Sequence, residues 1–296
     1  MLEVSIKVPG SCGELIQGML NQVNFLVTCP IDCYSVVTIK KSDCLGITVD
    51  VPEKNKLITA VKQAIKIMEI DPDQGYEIVV SSDLTVGKGM ASSTADMTAA
   101  ILGVALINGK QADETLISRI LLDIEPSDGI FYNGIVAFDH IHGSFCEKVG
   151  DSFPANFLIY DYGGEIDTIA FNANPLLQSI NLEKQPVIKK AYELLKTAFD
   201  HKDIRTLGQA VTISAIENQK LLYKKDLEDI ILLSSDCGAY GINVAHSGTL
   251  IGIVNNEATD LTRLQEKMHL FYPELTCLGN FSLVNGGYEY VIKGES

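Results

Sequence analysis

Residues Leu84–Asp96 read LTVGKGMASSTAD, and they join two patterns that seldom touch. Before them, GYEIVVSS is a β-branched, strand-like run; after them, Met97, Ala100, Ile101, Val104 and Ala105 recur at helical spacing. The chain must therefore leave a strand, turn on glycines and open a helix within about a dozen residues. The first amides of a helix lack intrahelical acceptors, and the helix dipole adds partial positive charge there. Gly87 and Gly89 would let backbone approach an anion closely, Lys88 adds a full charge, and a serine hydroxyl at the helix start can ligate Mg²⁺. The spacing is not that of a Walker A loop, since no GxxxxGK[ST] occurs. From the residues alone two readings stand: a phosphate site, or a glycine turn closed by a serine cap.

Composition narrows the partners. The 296 residues carry 23 Lys and Arg against 38 Asp and Glu, a formal net charge of -15, and 46% are hydrophobic. That balance argues against a nucleic-acid partner or an anionic membrane surface, which need clustered basic residues. The longest apolar run, TAAILGVALI, is about half of the roughly 20 residues of a membrane span. MLEVSIKVPG lacks the apolar core of a signal peptide. The seven cysteines include no CxxC pair, so Cys12, Cys29 and Cys33 read as reduced thiols and not as a zinc site. The expectation is a cytoplasmic protein; its oligomeric state, a homodimer included, stays open.

Along the chain, VSIKV and YSVVTIKK read as strands, the second following the punctuation CPIDC. A helical face runs over Leu57, Ile58, Val61, Ala64, Ile65 and Met68, and a further helix is expected from Asp113 as N-cap to before Pro126. Beyond a break near 150–155 lie a strand at FLIYD and helical patterns at Val187–Ala198, Ile204–Ala215, Leu227–Leu233 and Leu261–Met268. Strands are expected there at GINVA, TLIGIV, FSLV and YEYVI. Two α+β domains, 1–153 and 154–296, with a site between them fit this order.

GKGMASSTAD resembles the phosphate-binding motif of the GHMP kinases, the superfamily of galactokinase, homoserine kinase, mevalonate kinase and phosphomevalonate kinase. Ala91 stands where that family often has glycine, and Lys88 precedes the motif. VPGSCGELIQG resembles the family's first motif, beside the substrate, and NVAHSGTLIGIV its third, a turn that packs by the phosphate loop. Together with CPIDCYS, IEPSD, FDH and YGINVAHSG, these segments are similar to the L-threonine kinases of cobalamin biosynthesis over about residues 8–254. The resemblance implies a two-domain fold, ribosomal-protein-S5-like then ferredoxin-like. It also implies ATP with Mg²⁺, and phosphorylation of the hydroxyl of L-threonine on the way to the aminopropanol linker of cobalamin.

Carried over residue by residue, it implies that Gly87, Lys88, Gly89, Met90, Ala91, Ser92, Ser93 and Thr94 hold the ATP phosphates. Ser93 and Glu125 become the Mg²⁺ ligands, and Lys88 and Asp128 the catalytic candidates. Two assignments stay open near IEPSD: Glu125 on magnesium with Asp128 receiving the hydroxyl proton, or the homoserine kinase pattern with no dedicated base and Asp128 a turn residue. Glu14 and Asp32 are the acidic candidates for the substrate ammonium, and the backbone of Ser11, Cys12 and Gly13 for its carboxylate. His246, Ser247 and Gly248 are expected to line the same cleft, His246 by proximity and not as an acid or base. Asp139, His140 and His142 read as hydrogen-bonding groups, since no third metal ligand is evident. The first motif holds no Lys or Arg between Pro9 and Gly18, which favours a small zwitterion over a phosphorylated substrate. The rivals are homoserine kinase, another member of the superfamily, and a non-catalytic small-molecule sensor on the same fold.

Overall fold

The spine of the fold is a hairpin of two long antiparallel strands, β1 (Glu3–Leu20) and β2 (Val23–Ser42). Asn21 and Gln22 join them with φ of 47° and 68°, the left-handed pair that matches strand twist in a two-residue turn. The computed structural model describes residues 2–51, 54–166 and 171–294. Burial alternates over Glu3–Val8 and then becomes continuous to Met19, as β1 passes from one covered face to cover on both. CPIDC does not punctuate: β2 runs through it, and the irregularity is taken up by register shifts at Pro9/Gly10, Ser11/Glu14 and Glu14/Ile16. Those shifts explain why Pro30, which has no N–H to give the ladder, is tolerated there.

Around the hairpin lie β3 (Ile47–Val49), α1 (Asn55–Ile67), β4 (Gly75–Ser82), α2 (Ser92–Ile107) and α3 (Glu114–Leu122), then β5 (Ile135–Phe138), β6 (Cys146–Gly150) and β7 (Asn156–Asp161). The remainder is α4 (Leu177–His201), α5 (Ile204–Asn218), α6 (Leu227–Ser235), β8 (Gly241–Val244), β9 (Leu250–Asn255), α7 (Leu261–Phe271), β10 (Thr276–Ser282) and β11 (Glu289–Lys293). The sheet runs β10-β7-β9-β8-β1-β2-β4-β3, with β11 beside β1 and β5 linking β2 to β6. Strands from both ends of the chain thus meet on β1, and its Glu14 pairs with Val244 of β8.

The helix expected after the glycine turn is α2, buried at every position but Ser93 and Leu106. Its small, all-round apolar sequence fits that setting, with β1 and β2 on one side and α1 on the other. The Asp113 cap is present, its carboxylate accepting from Leu116 N at 2.8 Å. Helix α4 starts ten residues before the expected Val187 and carries Pro186 inside it. Asn181 and Lys184 occupy its inner face, which hid the apolar period from the sequence. The strand expected at FSLV begins earlier, at Thr276, and ends at Ser282. Among the described residues, no helix is long and apolar enough to cross a membrane.

Candidate active site

The glycine turn has the backbone geometry that an anion cradle requires. Gly87 and Gly89 have φ of 75° and 96°, and Ala91, directly before α2, sits at φ 54° and ψ 26°. A left-handed alanine is strained, which accounts for glycine being common at that position in the related motif. The first helical bond is Ala95 N to Ala91 O at 2.9 Å, so the amides of Ser92 to Thr94 lie ahead of the helical ladder.

The other two motifs hold this loop from behind. Ser11 N donates to Met90 O at 3.0 Å, Gly13 N to Gly89 O at 3.1 Å, and Ser11 Oγ to Gly89 O at 3.2 Å. From the third motif, Thr249 N donates to Lys88 O at 3.0 Å. A Cβ on Gly89 would stand 2.5 Å from Ala245 Cβ, and one on Gly248 would stand 2.2 Å from Lys88 O. Of the three amides expected to meet a substrate carboxylate, those of Ser11 and Gly13 are taken by these bonds. The Ser11 and Gly13 amides belong to the loop, and buried Cys12 exchanges bonds with Asn243: Asn243 Nδ2 to Cys12 O at 2.5 Å, Cys12 Sγ to Asn243 Oδ1 at 3.6 Å. Gly248 is likewise a support, its carbonyl accepting from Lys224 Nζ at 2.9 Å.

Lys88, expected at the ATP phosphates, has other partners here. Its Nζ pairs with Asp161 at 2.9 Å and donates to Gly164 O at 2.6 Å, which ties the loop to the end of β7 and takes the ammonium away from the cleft. Asp32 is exposed, accepts from Ser282 N at 2.7 Å, and does not line the cleft.

In front of the loop lies a cavity of about 620 Å³. Gly87 and Gly89 through Thr94 form one wall, Glu125 to Asp128 another, and Glu14, His140, His246 and Ser247 line it as well. Ser93 Oγ donates to Glu125 Oε1 at 2.5 Å, and Lys56 Nζ pairs with Glu125 Oε2 at 2.6 Å. A hydroxyl beside a carboxylate is a hard-oxygen donor pair that fits Mg²⁺, which keeps its other positions for phosphate and water. Among the described residues no cluster of three His, Cys, Asp or Glu is present. Behind this wall, Asp96 accepts from Ser35 Oγ and Lys54 Nζ, both at 2.5 Å, fixing the first turn of α2.

Deeper in, Glu14 and Asp128 meet. Burial and the Asp128 charge hold the Glu14 carboxyl well above the usual carboxylate range. Burial and the charge of Glu125 push Asp128 up to about 6, against a hydrogen bond from Glu14 that lowers it. Of the two, Glu14 is the one that holds its proton more firmly. Asp128 N bonds Thr94 Oγ1 at 3.4 Å, which locks its backbone to α2.

The imidazoles are buried and neutral, His140 pushed down to about 4 chiefly by desolvation and His246 pushed down by the same cause. Gln17 Nε2 donates to Val244 O at 3.2 Å, leaving Oε1 to accept from His246 Nδ1 at 2.8 Å. His140 lines the cavity and contacts Asn172 Oδ1 at 3.3 Å, whereas His142 is exposed. Asp139 closes a turn by accepting from the amides of Ile141, His142 and Ser144. Lys56, Asn172 and Glu165 were not singled out from the sequence; each lies outside any motif, and only the fold brings them to the cavity.

Residues 55–133 match the GHMP kinases N terminal domain. An L-threonine kinase of Citrobacter freundii is 30% identical over 287 residues, covering 95% of this chain and 97% of that protein. One of Salmonella typhimurium is 31% identical over 263 residues, covering 88% and 86%. The crystal structure of homoserine kinase from Cytophaga hutchinsonii superposes with a TM-score of 0.73 at 16% identity, covering 98% of this chain and 97% of that one. The chain belongs to the GHMP kinases, and its α+β fold is theirs. It is a small-molecule kinase related along nearly its whole length to enzymes that carry the name L-threonine kinase.

Proposed function

We propose that the protein transfers the γ-phosphoryl group of ATP to the side-chain hydroxyl of L-threonine, giving O-phospho-L-threonine and ADP. The observation that carries this reading is one cavity lined by the glycine turn before α2, the Ser93–Glu125 pair and the Glu14–Asp128 pair. The relatives supply the substrate: both carry that activity in their names, at 30% and 31% identity.

Phosphoryl transfer asks a protein mainly for alignment and charge neutralisation. The amides from Gly87 to Thr94 take the nucleotide phosphates, and Ser93 with Glu125 holds Mg²⁺. The metal, when bound, neutralises charge on the phosphate oxygens. Asp128 receives the proton as the threonine oxygen bonds to phosphorus and the bond to ADP breaks. Glu14, next to Asp128, lies beside the place for the substrate ammonium. Residues 1–153 and 154–296 are taken as two domains that share this cleft. The product suits the aminopropanol linker of cobalamin, the role that the sequence resemblance implies.

An ADP-release assay with Mg²⁺·ATP across threonine, homoserine, serine and mevalonate tests the reading. Threonine is expected to give the highest kcat/KM. A higher value for homoserine or mevalonate would replace it with the corresponding member of the family, and no turnover with any of them would leave a sensor.

A further inference from the structure

Most free edges of the sheet are blunted. β3 is three residues long, β6 exposes Glu147 and Lys148, and β10 carries Gly279 at φ 135° with a register shift against β7 between Cys277 and Gly279. Shortness, edge charges and bulges are the means by which natural sheets avoid pairing with other chains. β11 has a different character. It keeps an unbroken register on β1 from Glu3↔Lys293 to Lys7↔Glu289, and among the described residues no strand pairs with its other side. Its three central residues are apolar and open: Tyr290 is 53% exposed, Val291 56% and Ile292 49%.

The sequence of this edge is complementary to itself. Glu289-Tyr290-Val291-Ile292-Lys293 runs acid, three apolar, base. Laid antiparallel on a second copy about a two-fold through Val291, Glu289 falls opposite Lys293 of the other copy, twice over, and Tyr290 opposite Ile292. A parallel arrangement in register would oppose like charges instead. The faces agree as well. Tyr290 and Ile292 stand opposite Ile6 and Val4, whose side chains are fully buried in the core, so they lie on the core face of the sheet. Two copies joined at this edge would merge four half-exposed side chains into one apolar strip that continues both cores.

We propose that β11 pairs antiparallel with β11 of a second copy, centred on Val291, joining two sheets across a two-fold. Five residues a side is a small contact, at the low end of specific interfaces, so a reversible dimer with a Kd of about 1–100 μM is expected. No residue of β11 lines the cavity, so assembly and turnover are separable.

Sedimentation equilibrium of the full chain from about 1 to 100 μM reads this out. The wild type is expected to dimerise reversibly. Glu289→Lys and Lys293→Glu each turn two attractive cross-strand pairs into two repulsive ones and should weaken the dimer by about tenfold or more. Their equimolar mixture should recover it, because a Glu289→Lys copy against a Lys293→Glu copy restores opposite charges at both places. Ile292→Lys should abolish it without any such rescue. The pairs lost within the chain, Lys7–Glu289 at 3.5 Å and Glu3–Lys293 at 3.6 Å, are surface contacts, so each variant should fold, with unchanged circular dichroism and ADP release. A wild type that stays monomeric to about 100 μM, a dimer indifferent to these changes, or no recovery on mixing would overturn the proposal.

Discussion

Three carboxylates line the cleft, Glu14, Glu125 and Asp128, and Asp128 is the one whose charge state decides most. Its acidity is weakened by burial first and by Glu125 second, to about 6, while Glu14 beside it stays protonated. A proton acceptor must be ionised to work, so kcat should rise with pH through a limb near 6. Asp128→Asn keeps the shape of the side chain and removes its basicity. It should lose that limb and lower kcat by about tenfold or more, with a small change in threonine KM, because a base acts in the transition state. Stability should move the other way. The folded chain holds protons on these carboxyls that the unfolded chain releases, so stability falls as pH rises from the ordinary carboxylate range through about 6. Urea melts should therefore favour Asp128→Asn over the wild type more at pH 8 than at pH 4. An unchanged kcat profile would make Asp128 a turn residue only, with the proton leaving to solvent or to the phosphate.

At the scale of the element, the glycine turn and the helix behind it were legible because their demands are local. Two glycines with positive φ, small hydroxylated residues and an apolar helix behind them are all consecutive in the chain. What could not be read was the direction of Lys88. That is settled by Asp161 at the end of β7 and by Gly164, more than seventy residues away, and no local pattern carries such a contact. The same reason hid the roles of Ser11 and Gly13, whose amides are taken by carbonyls of the loop, and of Lys56 on α1. Lys88→Ala tests the structural role. Asp161 would be left in a largely buried site with, among the described residues, Thr249 Oγ1 and Gly163 N as donors, at a cost to stability of about 1–3 kcal/mol. Turnover should stay within about threefold at saturating ATP if the loop keeps its course. A tenfold or larger fall in kcat at unchanged stability would instead return the lysine to the phosphates.

At the scale of the whole molecule, the order of the elements was readable and the assembly of the cleft was not. Helix α4 was half missed because polar Asn181 and Lys184 occupy its buried face. β5, fully buried along Ile135–Phe138, shows no alternation to announce a strand. The cavity draws Glu14 from β1, Lys56 from α1, Ser93 from α2, Glu125 from the segment after α3, and His246 from the turn after β8. A ligand that touches all of these stabilises contacts between segments far apart in the chain, so binding should be visible as global stability. At about 100 times its Kd a ligand adds about 2.7 kcal/mol. For a chain of this size that corresponds to a rise in Tm of about 4 °C. A non-hydrolysable ATP analogue should give this shift with Mg²⁺ and a clearly smaller one with EDTA. Glu125→Gln keeps the volume of the side chain and its bond from Ser93 while removing the charge a cation needs. It should abolish the difference between Mg²⁺ and EDTA while the metal-free shift remains, since the amides of the loop are untouched. Equal Mg²⁺ dependence in the variant and the wild type would take Glu125 out of the metal site and leave its carboxylate as the partner of Lys56.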